Sequence, residues 1–315
     1  MPGAASRAVA VGDIDRMLAE PGVLWVDLQD PTEQEARILS EVFKFHPLAI
    51  EDCVSEANHA KVDDYGGYVY MVAHAVKPVT RDGKLGVEEV DCFLGKRYVV
   101  TYHKGAVPAI DGTRRRCGEI PGAARSADMI VHEVLDRMVD TFVRHIEGLD
   151  QRVDELEHRL FRRAHLVPRS VINEIFALKK EVLQIKRLVS PLREVLTRFS
   201  RGEFPVVGDE AKPHFRDVYD HVYRVADLVD SFRDVVTSAL ETYLTVVANR
   251  TNEVMKVLTI FSVVLMTASL IAGIYGMNFT VLPGKDWPVG FWASLGLMAT
   301  LAVVTLIIFR KRKWI

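Results

Sequence analysis

The residues best suited to chemistry lie along one line near the C-terminus. Glu241, Ala248, Met255, Ser262 and Ser269 recur every seventh position, flanked by Thr245, Asn252, Thr259, Met266 and Gly273. The line runs on to Tyr275-Gly276-Met277-Asn278. Small and hydroxyl-bearing residues on one helix face let a second helix approach closely. The same hydroxyls and amides can line a wet pore, where their oxygens replace water around an ion. Spacing alone leaves both readings open.

The elements that must position this line are helical. Val257 to Met277 and Phe291 to Phe309 are uncharged apolar runs of about 20 residues, the length that crosses about 30 Å of hydrocarbon. Only Asn278 to Gly290 separates them, so they read as two antiparallel spans. Arg310, Lys311, Arg312 and Lys313 follow the second run, which places that end in the cytoplasm and, with two spans, the N-terminus as well. From His214 to Ala272 there is neither Pro nor Gly, which predicts one continuous helix of about 90 Å. A helix so long must be packed along its length. Val218, Val222, Val225, Val229, Phe232, Val236, Ala239, Tyr243 and Val246 supply the seam.

Upstream, the pattern is that of a soluble domain. Val23–Leu28 and Tyr68–Val76 read as strands, and Glu88–Leu94 and Arg97–His103 as a hairpin turning at Gly95-Lys96. Thr32 with Glu35 forms a capping-box spacing for a helix to about Phe43, and Pro47 opens a second short helix. This mixture predicts an α/β domain, a mixed sheet with helical layers. From Ser126 the period changes. Leu135, Met138, Phe142, Ile146, Leu149, Val153, Leu156 and Leu160 mark one long helix. Ile172, Ile175, Leu178, Val182, Ile185, Val189 and Leu192 mark a second, with a kink expected at Pro191 and the break between them at Pro168. The pair reads as an antiparallel hairpin whose charged residues, Arg159, Arg162, Arg163, Lys179, Lys180 and Glu181, form a solvated outer face. The segments expected are 1–125 (α/β domain), 126–212 (helix hairpin), 213–256 (stalk), 257–277 (first span), 278–290 (external loop), 291–309 (second span) and 310–315 (basic tail).

Composition excludes several classes. With 40 Lys+Arg against 42 Asp+Glu the formal charge is −2, and no broad basic field suggests a nucleic-acid partner. Cys53, Cys92 and Cys117 are odd in number and widely spaced, as reduced cytoplasmic thiols would be. No signal-peptide pattern opens the chain. An enzyme is the weakest reading: there is no P-loop and no Gly-x-Ser-x-Gly, and His132-Glu133 lacks the second His of HExxH.

Several stretches together resemble the CorA family of magnesium and cobalt transport channels. They are Gly276-Met277-Asn278 after Tyr275, His46-Pro-Leu with Glu51-Asp52, Pro191-Leu-Arg-Glu-Val-Leu196, Phe215-Arg-Asp-Val-Tyr-Asp-His221, Thr251-Asn-Glu-Val-Met-Lys-Val-Leu-Thr-Ile260 and the terminal Lys313-Trp314-Ile315. The resemblance covers nearly the whole chain. It implies a funnel-shaped homopentamer in the inner membrane that passes Mg2+ inward down the membrane potential, with Co2+ and Ni2+ as possible permeants, no organic cofactor and only itself, the bilayer and divalent cations as partners. It moves the mixed line from helix packing to pore lining. Gly276, Met277 and Asn278 become the selectivity filter. Met255 and Leu258 become the constriction, with Asn252 below it, Ser262, Met266, Ser269 and Gly273 above, and Glu241 a lower acidic ring. Arg310, Lys311, Arg312 and Lys313 form a cytoplasmic basic ring. Asp52 and Asp217, with Glu51 adjacent, fall on the positions of the intersubunit regulatory Mg2+ site.

The chain departs from the family pattern in places. Glu241 and Ser269 stand where Asp and Thr are expected, and in Thr280-Val-Leu-Pro-Gly-Lys-Asp286 only Asp286 is acidic. The runner-up reading is a zinc or other transition-metal transporter on the same scaffold, with or without proton coupling, against which the intact Met277 argues. A non-conducting membrane-anchored coiled-coil scaffold would explain the long helices but not the mixed line.

Overall fold

The computed structural model describes residues 11–55, 59–77, 85–120, 122, 125–162, 170–278, 287–312 and 314. The expectations for Pro168, Arg163, Lys313 and the loop from Phe279 to Asp286 lie outside them. Among the described residues, those up to Leu240 form one compact unit and those from Glu241 onward a second.

The first unit is built on a five-stranded sheet in the order β1-β5-β4-β3-β2. Its strands are β1 (Leu24–Gln29), β2 (Lys61–Asp64), β3 (Tyr68–Lys77), β4 (Gly86–Gly95) and β5 (Tyr98–His103). β1 pairs parallel to β5, and the other pairs are antiparallel. The register sets Tyr70 opposite Phe93 and Met71 opposite Cys92. Side chains alternate across a strand, so these two pairs serve opposite faces.

A short 3-10 turn (Val11–Asp13) leads into the helices of the first face: α1 (Ile14–Ala19), α2 (Glu33–Ala36), α3 (Ile38–Glu41) and α4 (Pro47–Ser55). Ile14, Ile38, Leu39, Ala49 and Cys53 from α1, α3 and α4 bury against Tyr70, Val72 and Phe93. The capping box is present, with the Glu35 amide donating to Thr32 Oγ1 at 3.3 Å and the Thr32 amide to Glu35 Oε2 at 2.8 Å. The helix expected to reach Phe43 instead comes as two short pieces, and Lys44 follows at φ 54°. That turn lets Phe45 stack on Phe93 with ring centroids 4.1 Å apart.

On the other face Met71, Ala73, Val90 and Cys92 meet Val131, Leu135 and Met138 of α6 (Ala127–Arg162). With both faces covered, β3 is buried along nearly its whole length. Preceding α6 is α5 (Pro108–Glu119), which has Pro in its first turn and buries Ala109, Ile110, Thr113 and Cys117. Every residue of the α6 seam from Leu135 to Leu160 is buried. α7 (Ser170–Ser200) runs on through Pro191 and buries Ile175, Leu178, Val182, Ile185, Val189 and Leu192, with Ile172 half-buried.

α6 and α7 are antiparallel, as two links show: Arg159 pairs with Glu174, and His145 and Arg152 with Glu181. Glu181 therefore does not belong to the outer face. It is buried, with Oε1 at 2.9 Å from His145 Nε2 and Oε2 accepting from Arg152 at 2.8 Å. Burial alone would raise its pKa, but these partners hold it below the usual carboxylate range.

α8 (Lys212–Tyr275) is one helix of 64 residues, about 96 Å long. Its seam from Val218 to Tyr243 is buried, and Val246 is half-buried. α9 (Gly290–Lys311) has 22 residues. The C-terminal part of α8 and α9 are the two described helices long and apolar enough to cross a membrane. The expected architecture of mixed-sheet domain, long helix and two C-terminal apolar helices is the one found.

Candidate ion path and acidic cluster

In the second unit the two helices have complementary sides. Along the apolar part of α8, Ile260, Val264, Thr267, Ala268 and Ile271 are partly or fully shaded, and Thr259, within the arc of the mixed line, is half-shaded too. On α9, Ser294, Met298, Leu301, Ala302, Thr305 and Phe309 are shaded at helical spacing. This is the pattern of two helices shading one another.

The mixed line lies on the opposite side of α8. At about 100° per residue, Glu241, Asn252, Met255, Leu258, Ser262, Met266, Ser269 and Gly273 fall within an arc of about 120°. Val264 and Ile271 sit about half a turn away from the centre of that arc. All eight residues are exposed, with Met255 at 53 %, Leu258 at 57 % and Met266 at 72 %. Thr245 and Thr259 donate their hydroxyl hydrogens to the carbonyls of Glu241 at 2.9 Å and Met255 at 2.8 Å. Each hydroxyl therefore turns only oxygen lone pairs outward, which suits a cation or the hydrogens of its hydration water.

At the end of the line, the Gly276 amide donates to Ala272 O at 2.9 Å and the Met277 amide to Ile274 O at 3.3 Å. Gly276 is not among the glycines at positive φ. A Cβ there would lie 3.1 Å from the Ala272 carbonyl, so close approach and not left-handed backbone explains the glycine. Met277 and Asn278 are both exposed. At the far end of α9, Arg310, Lys311 and Arg312 are exposed, and Trp314 stacks on Phe309 with centroids 5.3 Å apart.

The first unit holds a group of acids that sequence reasoning missed. Donor atoms of Asp136, Asp140 and His221 lie within 4.8 Å of one another. Asp136 and Asp140 are one turn apart on α6, and Asp217 and His221 one turn apart on α8. Burial pushes the Asp136 carboxyl up, and the negative charges of Asp140, Glu133 and Asp217 add to this against the pull of His221. Higher on the same α6 face, the His132 ring lies 5.3 Å from that of His214. Burial first and His214 second hold His132 below its ordinary value. The sequence carried the four-residue spacings, but not the fact that α6 and α8 face each other there.

Asp52 stands elsewhere within the chain. Its carboxylate pairs with Lys61, which also lies 3.5 Å from Asp63. Burial works against the charge on Lys61, but the two aspartates outweigh it and raise its pKa. Glu51 lies beside the apolar hollow formed by Pro47, Ile50 and Val54. A single chain thus gathers Asp217 with the α6 acids and leaves Glu51 and Asp52 on α4.

The two long apolar helices behind a large mixed domain fit a two-span membrane protein. Residues 20–311 match the family described as CorA-like Mg2+ transporter protein, and the chain belongs to that family. It is 35 % identical over 282 residues to the cobalt/magnesium transport protein CorA of Thermotoga maritima, covering 88 % of this chain and 79 % of that one. The complete structure of the CorA magnesium transporter from Methanocaldococcus jannaschii superposes with a TM-score of 0.79 at 24 % identity, covering 92 % of this chain and 91 % of that one. A more distant relative is the zinc transport protein ZntB of Cronobacter sakazakii, 21 % identical over 309 residues, with 96 % and 90 % covered.

Proposed function

We propose that this chain is one subunit of a homopentameric channel that lets Mg2+ into the cell, with Co2+ and Ni2+ as further permeants. In this reading the segments 213–256 and 257–277 are stalk and inner span, 291–309 is the outer span, and both termini are cytoplasmic. One observation carries the assignment: the mixed line from Glu241 to Gly273 is exposed on the side of α8 opposite the one shaded in the second unit, and it ends close to Gly276-Met277-Asn278.

Five copies would close that line into a pore, with Gly276, Met277 and Asn278 at its mouth. Mg2+ sheds its water reluctantly, so a ring of neutral amide oxygens recognises the hydrated ion through its water hydrogens. Five carboxylates would hold it too tightly to release. Met277 is a poor partner for so hard a cation and serves packing between copies. Below the mouth, Ser262, Met266, Ser269 and Gly273 line the path to the Met255 and Leu258 constriction, with Asn252 and Glu241 further down.

The membrane potential suffices as driving force. Each charge gains about 2.3 kcal/mol per 100 mV, and a divalent ion about 4.6 kcal/mol. Passive entry needs a brake, and cytoplasmic Mg2+ bound between subunits supplies one. Asp217 would be its centre, with Asp136 and Asp140 from the same chain and Glu51 and Asp52 from a neighbour. Without the ion these carboxylates repel, and the closed ring loosens. Arg310, Lys311, Arg312 and Lys313 form a basic collar where the second span ends.

Zn2+ transport is the second reading, favoured by the zinc-transporting relative. Purified chain in vesicles, loaded with Mg2+- or Zn2+-sensitive dye, separates the two. The expected result is potential-driven Mg2+ entry that ignores a pH gradient. Zn2+ entry that requires a proton gradient, without Mg2+ entry, would replace the first reading by the second.

A further inference from the structure

Within a single chain Asp52 already has a cation. Lys61 and Asp63 lie two residues apart on β2, so their side chains leave the same face of the sheet. The register identifies that face: Lys61 sits opposite Val72 and Asp63 opposite Tyr70, and both β3 residues are buried in the core shared with α1, α3 and α4. The Lys61 ammonium is thereby carried to α4, where it donates to Asp52 Oδ2. The same nitrogen lies 3.5 Å from Asp63 Oδ2 and 5.4 Å from the centre of the Tyr70 ring. That ring is fully buried, and its hydroxyl donates to Asp91 at 2.5 Å, so the aromatic face under the ammonium is held in place. Lys61 and Asp52 keep 34 % and 40 % of their side chains exposed, so ions in solution reach the pair.

A carboxylate oxygen engaged by an ammonium is not free for Mg2+, and the lysine's charge repels the ion besides. To bind at Asp52, Mg2+ must therefore displace Lys61. Displacement is costly when it strands a cation and easy when a second acid stands ready. Asp63 is that acid, a short swing from a direct hydrogen bond with Lys61. The lysine thus has two places, of which only one blocks Asp52.

On the reading that Asp52 belongs to the intersubunit brake, we propose that Lys61 is a tethered competitor of the regulatory Mg2+ ion. It holds Asp52 when internal Mg2+ is low and passes to Asp63 when the ion binds. The balance between the two acids sets the Mg2+ concentration at which the channel closes.

The test is current through the reconstituted full chain, with Mg2+ titrated on the cytoplasmic side. A partly exposed ion pair shifts such a balance by a small factor, so Lys61→Gln should lower the half-inhibiting Mg2+ concentration about threefold. Lys61→Arg, which keeps the charge, should stay near the native value. Asp63→Asn removes the alternative place and should raise the half-inhibiting concentration about twofold, but should change nothing when added to Lys61→Gln. The same shifts should appear in the Mg2+ concentration that half-completes the rise in unfolding midpoint in detergent, a readout independent of conduction. Greater sensitivity to the ion is not what a damaged fold produces. If Mg2+ inhibits the native chain and Lys61→Gln leaves the half-inhibiting concentration unchanged or raises it, the competitor role is overturned and the brake stands. An Asp63→Asn effect that persists without Lys61 also overturns it, since Asp63 would then act on the ion directly. A native chain insensitive to internal Mg2+ would overturn the brake itself, and the competitor with it.

Discussion

The two units of this protein finish their surfaces differently. In the first, each long apolar seam is closed within the chain: Leu135 to Leu160 on α6, Ile175 to Leu192 on α7 and Val218 to Tyr243 on α8 are buried. In the second, α8 leaves Met255, Leu258, Phe261, Leu265 and Met266 exposed, and α9 does the same with Phe291, Trp292 and Ile308. A soluble chain rarely shows an apolar surface so continuous. The first unit closes its long seams within a single copy, whereas the second needs lipid on one side and, in the proposed pentamer, copies of itself on the other. Its mixed line is informative for that reason: hydroxyls, an amide and a glycine stand among Met255, Leu258 and Met266 on one exposed side of α8.

Substitutions can sharpen this contrast. The largest effect is expected at Asn278→Ala, which should lower Mg2+ entry into vesicles by about a hundredfold, since the amide acceptors at the mouth would be gone. Unchanged entry would remove Asn278 from selection. Next come paired truncations of similar size, one in each unit. Phe93→Ala removes a fully buried ring stacked on Phe45 and should cost about 3–5 kcal/mol, read as a lower unfolding midpoint of the full chain in detergent. Phe261→Ala, at an exposed ring, should change the same midpoint by less than about 0.5 kcal/mol. Equal costs would show that the second unit is packed internally after all.

A smaller, regulatory effect is expected at Asp217→Lys. It should raise the internal Mg2+ needed to halve uptake about tenfold, because the cation would compete for the carboxylates of the α6–α8 cluster. Inhibition at the native concentration would argue against a regulatory site there.

The smallest effect concerns pH. Asp91 is buried, and its carboxyl is pushed up to about 8 by burial, with the Tyr70 hydroxyl donating to it at 2.5 Å in partial opposition and Glu89 adding to the rise. A carboxyl whose folded value is raised stabilises the fold while protonated. That contribution is full below about pH 4 and is lost as pH rises through about 8. Asp91→Asn should therefore flatten the decline in stability across this window and raise the melting temperature at pH 8 by a few degrees. A decline as steep as in the native chain would show that Asp91 does not govern it.

Periodicity made much of this molecule legible in advance. The α6 and α8 seams, the strand from Tyr68 and the two spans each repeat a spacing long enough to be read without partners. β2 escaped because Lys61-Val-Asp-Asp64 is short and charged, and α5 because its arginines dilute the apolar signal. Glu181 misled because a charged residue normally faces water, whereas here His145 and Arg152 meet it between two helices. The Asp136, Asp140 and His221 cluster could not be read at all, since it depends on which helix faces which. Gly276 was legible as a requirement but not in its cause, which is the nearness of the Ala272 carbonyl.

The account stands or falls on which side of α8 meets the ion, and charged thiol reagents can ask this directly. Cys53, Cys92 and Cys117 are all buried, so the native chain offers little background. Ser262→Cys lies on the exposed polar line and Val264→Cys on the shaded side. A methanethiosulfonate reagent carrying a positive charge should lower Mg2+ uptake about tenfold in Ser262→Cys and leave Val264→Cys unchanged. Block at Val264→Cys with Ser262→Cys untouched would put the ion path on the other side of the helix and contradict the account.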